Sequence, residues 1–126
     1  MQPEPQSDDT FEKLLVWRRS HALSIEVYRM LAECRDWGFK DQITRAANSI
    51  SDNIAEGAER LGKAEFKQFL GYAKGSAGEV RSQVLRAAAL GYVSAEDSRR
   101  LVAELKEISR MIHGLIRSLE QAAPST

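Results

Sequence analysis

Residues 64–91 read AEFKQFLGYAKGSAGEVRSQVLRAAALG. Phe66, Leu70, Ala73, Ala77, Val80, Val84 and Ala88 recur in steps of three and four, the stripe of an amphipathic helix that buries one side. The opposite side carries Gly71, Gly75, Gly78, Ser82 and Ala89, which fall within about 60° of one another at roughly 100° per residue. Each helix-interior glycine costs about 1 kcal/mol relative to alanine, so Gly71, Gly75 and Gly78 together cost on the order of 3 kcal/mol. That cost is recovered where another helix or a bound partner comes close to this side. The helix is expected from Ala64 to Leu90, with Gly91 as its stop.

Three more helical patterns surround this one, and no strand pattern does. A first helix is expected over Phe11–Asp36. A second runs from Phe39 or Lys40 to Leu61, with Gly38 in the preceding turn and Gly62 as its C-terminal stop. A fourth opens at Ser94, whose side chain can cap the amide near Asp97, and continues to Glu120. The second helix carries Ile43, Ala47, Ile50, Ile54, Gly57 and Leu61, and the fourth Leu101, Leu105, Ile108, Ile112, Leu115 and Leu119. Both stripes alternate steps of three and four, as left-handed bundle packing requires. Short connections make neighbours antiparallel, so the expected fold is an all-α, up-down-up-down four-helix bundle over residues 11–121. Residues 1–10 read as a disordered lead and residues 122–126 as a frayed tail.

The first helix is broader than one core stripe. Leu14, Trp17, Ile25, Tyr28 and Ala32 mark one face, while Val16, Leu23, Val27, Met30, Leu31 and Cys34 mark nearly the opposite one. Like the glycine face, the surplus points to burial against a second body, although a thick single core is the alternative. Trp17, Tyr28, Gly57, Gly71, Gly75 and Gly78 are therefore the expected close-packing or interface residues.

The chain has 18 basic and 18 acidic residues. Up to Gly62 there are 8 basic against 11 acidic, and beyond it 10 against 7. No strongly basic composition advertises nucleic acid, but a neutral chain can still carry a local basic patch. The single cysteine, Cys34, sits on the apolar side of the first helix and reads as a buried, inert thiol. The polar opening from Met1 to Thr10 is not a signal peptide, and no apolar run reaches the roughly 20 residues of a membrane helix. A cytoplasmic location is expected.

On the second helix, Arg45, Ser49, Asp52, Asn53, Glu56 and Arg60 share roughly a 100° arc. Serine and asparagine are poor helix-interior residues, so the run Asn48, Ser49, Ser51, Asp52, Asn53 calls for a contact. Either the arc is a network holding the second and third helices together, or it is a site for a polar partner. Evidence for catalysis is thin. Asp52 and Glu56 have no Glu-x-x-His repeats beside them, His21 and His113 lie on different helices, and no phosphate loop follows a strand. No cofactor or metal is expected, and an enzyme with an unrecognised site is the minority reading.

Gln42-Ile43-Thr44-Arg45-Ala46-Ala47-Asn48-Ser49-Ile50-Ser51-Asp52-Asn53-Ile54-Ala55-Glu56-Gly57, then Gly75-Ser76-Ala77-Gly78-Glu79-Val80 and Leu90-Gly91-Tyr92, resemble the S23 ribosomal protein, or 23S-rRNA-associated, family. The likeness runs from Phe11-Glu12-Lys13-Leu14-Leu15-Val16-Trp17 to Ile112 through Leu119. Many members carry proline where this chain has Ser51, so a kink there would be softer or absent. The resemblance implies a homopentamer of antiparallel four-helix bundles without an established catalytic residue. It also implies an association with ribosomal RNA and carries Arg45, Ser49, Asn53, Glu56, Gly57, Gly75, Ser76 and Glu79 as pattern residues. A related accessory protein of diversity-generating retroelements shares the architecture and binds nucleic acid together with a reverse transcriptase. The expected function is a non-enzymatic oligomer contacting RNA phosphates through Arg18, Arg19, Arg45, Arg60, Lys63, Lys67 and Lys74. A scaffold that docks a protein partner is the alternative.

Overall fold

The computed structural model describes residues 10–121. The expected disordered lead, apart from Thr10, and the expected frayed tail lie outside the described residues. Four helices follow one another: α1 Leu15–Met30, α2 Trp37–Ala58, α3 Lys63–Ala89 and α4 Ala95–Gln121. Each packs on its chain neighbours, α1 also packs on α4, and the diagonal pairs keep their backbones apart across the shared core. This is the antiparallel up-down-up-down bundle that short connections impose.

Helix ends follow local chemistry. Asp36 caps α2 by accepting the Phe39 N–H at 3.2 Å. This cap starts α2 earlier than expected and places Gly38 inside its first turn rather than before it. At its other end α2 closes at Ala58, so Leu61 is fully exposed instead of completing the core stripe. Gly62 is the extended N-cap of α3, not the stop of α2. The α3 terminus behaves as read. Gly91 has φ +77, its N–H donates to the Ala88 carbonyl at 3.0 Å, and that of Tyr92 donates to Ala87 at 2.8 Å. That double closure satisfies carbonyls left open by the last turn. Ser94 Oγ accepts the Asp97 N–H at 3.0 Å, as expected for α4.

The first helix is shorter than its apolar pattern suggested. Residues 10–13 form a turn, with Leu14 N–H donating to the Phe11 carbonyl at 3.0 Å. After Met30 the chain tightens, and Cys34 N–H donates to the Leu31 carbonyl at 3.0 Å. Cys34 therefore lies beyond α1 and is half-buried rather than buried.

Val16, Leu23, Val27 and Leu31 meet Ile43, Ala47, Ile50 and Ile54 of α2, the Leu70–Val84 stripe of α3, and Leu101, Leu105, Ile108 and Ile112 of α4. Burying each large side chain contributes about 1.5–3 kcal/mol, which is why these stripes dictate the bundle. Buried hydroxyls return to their own helices: Ser20 donates to the Val16 carbonyl and Thr44 to that of Lys40, both at 2.7 Å. Ser51 is likewise absorbed, donating to the Asn48 carbonyl at 3.4 Å, and α2 runs through it as one helix.

The Leu14–Ala32 face of the first helix divides. Leu14 and Trp17 pack on the core edge, whereas Ile25, Tyr28 and Ala32 face outward. Gly57 is a close-packing residue as expected. A Cβ there would sit 2.7 Å from Phe69 Cβ and 3.0 Å from Phe66 Cδ1. Gly71, Gly75 and Gly78 are not close-packed within the chain. All three are exposed, with nothing within 4 Å of an added Cβ. No helix of the described residues is long and apolar enough to cross a membrane.

Candidate functional site

The arc on α2 resolves into hydrogen bonds along the helix and a hydroxyl contact to α3. Asn53 Nδ2 donates to Ser49 Oγ at 2.9 Å and to the Ser49 carbonyl at 2.8 Å, and Ser76 Oγ on α3 donates to Ser49 Oγ at 3.0 Å. Asn48 Nδ2 donates to Tyr28 Oη at 2.9 Å, tying α2 to α1. The unusual polar run is thus built into the packing of α2 against its neighbours, with half-buried side chains at Asn48, Ser49 and Asn53. Arg45 and Glu56 stay exposed and pair along α2, with Asp41 at 2.9 Å and Arg60 at 2.8 Å respectively.

The seven expected phosphate contacts do not converge. Arg18 Nε donates to the Glu12 carbonyl at 2.6 Å. Arg19 forms a fork with Glu104 across α1 and α4, its Nε 2.9 Å from a carboxylate oxygen, and this bond raises its already high pKa. Arg60 is shared between Glu56 and Glu65 and lies 4.9 Å over the Phe69 ring. Lys63 opens α3, and Lys67 faces Glu120 at 3.9 Å. Lys74 alone of the seven enters a cationic groove.

That groove runs between α3 and α4, has a volume of about 690 Å³, and is lined by Lys74, Arg81, Lys106, Ser109, Arg110, His113, Gly114 and Arg117. Five permanent cations and an imidazole share it without a carboxylate in the lining. Arg110 has a partner at its rim, Glu107 at 3.0 Å. Among the described residues no ion pair holds Lys74, Arg81, Lys106 or Arg117. Like charges gathered without counter-charge raise the local potential, which an anion relieves. The adjoining groove between α1 and α4 is different: Arg19 pairs with Glu104, and Arg100 with Glu26.

Sequence reasoning missed Arg81, Lys106, Arg110, His113 and Arg117. Lys106, Arg110, His113 and Arg117 do recur in steps of four, three and four, but the stripe meets Lys74 and Arg81 only once the register of α3 against α4 is known. The two histidines lie apart, His113 in the groove and His21 stacked on Trp17 with ring centroids 4.8 Å apart. No group of three or more His, Cys, Asp or Glu side chains that could hold a metal ion occurs among the described residues.

A family model described as 23S rRNA-intervening sequence protein matches residues 12–114. Among solved structures, the chain is similar to a protein of unknown function from the S23 ribosomal protein family of Bacteroides thetaiotaomicron. The likeness has a TM-score of 0.76 at 22% identity and covers 81% of this chain and 98% of that one. No curated protein matches.

Proposed function

This chain belongs to the 23S rRNA-intervening sequence protein family, and from that premise we propose that it is a non-enzymatic, self-associating bundle that holds RNA by its phosphates. The observation that carries this reading is the α3–α4 groove, where Lys74, Arg81, Lys106, Arg110 and Arg117 converge with no carboxylate in the lining. Phosphate contacts position a nucleic acid without reading its sequence and release counterions as they form. With four to five phosphates engaged, log affinity should fall with log salt at a slope of about −3 to −4. Fluorescence titration of a transcribed 23S ribosomal RNA fragment over a salt series tests this. An affinity that stays flat as salt rises would overturn it.

A second reading, a scaffold docking a protein, is favoured by the outward apolar residues of α1 and the open glycine face of α3. A second copy satisfies both faces at once, and self-association therefore belongs to the same proposal. The ring of five is what the family resemblance suggests. Native mass with and without RNA separates the readings. The scaffold reading requires pure protein that assembles but leaves RNA unbound.

A further inference from the structure

We infer that the α3–α4 groove accepts the backbone of double-stranded rather than single-stranded RNA, an inference that rests on the phosphate-binding reading above. Register supplies the first argument. Lys67 meets Glu120 across the antiparallel pair. One heptad further along each helix, Lys74 comes level with His113, with Arg117 about one turn beyond it. Another heptad brings Arg81 level with Lys106, and Arg110 stands about midway between the two levels. Seven residues at about 1.5 Å each separate the two levels by roughly 10 Å along the bundle. All of these cations stand on packed helices, so the groove presents a row of anion positions at fixed spacing. A duplex offers its phosphates at fixed spacing, whereas a flexible strand must be ordered to match them.

The chemistry of the lining supplies the second. Single-strand grooves combine backbone-tracking cations with aromatic platforms on which successive bases stack. This groove contains no phenylalanine, tyrosine or tryptophan, and one imidazole cannot carry a run of bases. What it does contain suits an A-form helix, which is recognised through phosphates and 2′-hydroxyls: guanidinium forks for the former and the half-buried Ser109 hydroxyl for the latter.

The test uses the full-length protein and fluorescence anisotropy at fixed ionic strength. Its probes are a blunt RNA duplex of about 20 base pairs, longer than one groove contact, and each of its strands alone, chosen to be unstructured. The duplex should bind at least about tenfold more tightly than either strand. Paired replacements at one end of the row, Arg81→Gln with Lys106→Gln, or at the other, Lys74→Gln with Arg117→Gln, should each weaken duplex binding about tenfold or more. Each pair should also reduce the magnitude of the salt slope by about 2. Unchanged far-ultraviolet dichroism and melting keep the variants interpretable. Strands that bind as tightly as the duplex, and are still weakened by the replacements, would overturn the duplex inference and leave phosphate binding standing. Binding of neither probe, or binding indifferent to both pairs of replacements, would remove the phosphate reading together with it.

Discussion

Gly57 and Gly78 both lack a side chain, yet a methyl group added at each meets opposite surroundings. At Gly57 it would press to 2.7 Å on Phe69 Cβ, an atom that moves only with the α3 backbone. Gly57→Ala should therefore lower stability by about 1–2 kcal/mol in denaturant unfolding, the overpacking cost outweighing the gain in helix propensity. At Gly78 the space is open, and Gly78→Ala should raise the stability of the isolated subunit by up to about 1 kcal/mol. The same scale holds a pH-dependent latch. Tyr92 Oη donates to Asp36 Oδ2 at 2.6 Å while Asp36 also caps Phe39, joining the loop before α2 to the loop before α4. The tyrosine hydroxyl, followed by the Phe39 amide, holds the Asp36 carboxyl below its ordinary pKa, and the carboxylate raises that of Tyr92. A lowered carboxyl stabilises the fold above its unfolded value, and this contribution disappears as pH falls through the folded value. A raised phenol contributes below its unfolded value and loses that contribution as pH rises through the folded one. Tyr92→Phe keeps the edge-on contact with Phe39. Its melting point should lie slightly below that of the parent at neutral pH, and the gap should close in acid and in strong alkali. A gap as wide at about pH 3 as at neutrality would contradict the latch.

At the scale of elements, apolar stripes made the bundle legible and end chemistry decided where each helix stopped. The stripes on α2, α3 and α4 predict the buried residues because burial of large side chains outweighs local propensity. The starts were harder. Gly38 reads as a turn residue, yet Asp36 caps two residues earlier and the helix passes through the glycine. Leu61 fitted the α2 period, but the helix had already closed at Ala58. Where the stop depends on one backbone angle, the reading was secure. Gly91 occupies the left-handed region, and Gly91→Ala should cost about 1–2 kcal/mol, measurable as a lowered unfolding midpoint with an unchanged denaturant slope. The candidate site was legible only in part for a related reason. Ser49 and Asn53 stood out because their residue types are unusual inside a helix, and they serve the α2–α3 contact. Arg81, Lys106 and Arg117 are ordinary surface residues on their own helices, and only the pairing of α3 with α4 makes them a groove.

For the whole molecule, the open glycine face and the cationic groove share α3, so assembly and RNA binding should be coupled. Gly71, Gly75 and Gly78 make no close contact within the subunit, and in the proposed assembly the cost of about 3 kcal/mol is recovered between copies. Gly75→Leu tests this directly, because the position is exposed and an added Cβ meets nothing within 4 Å, so the isolated subunit should keep its fold. If a neighbouring copy covers the face, native mass should fall to that of the single chain and helical dichroism should persist. The melting point should also lose its dependence on protein concentration. An oligomer presents one groove per subunit to a long RNA, so every groove after the first binds at high effective concentration. The same substitution should then weaken binding to a long structured RNA by about 100-fold or more, while binding to a duplex that fills one groove changes little. An unchanged mass would mean that the glycines of α3 face water in the assembly as they do in the subunit. Self-association would then have to run through the outward face of α1, where Ile25 and Tyr28 offer the alternative contact.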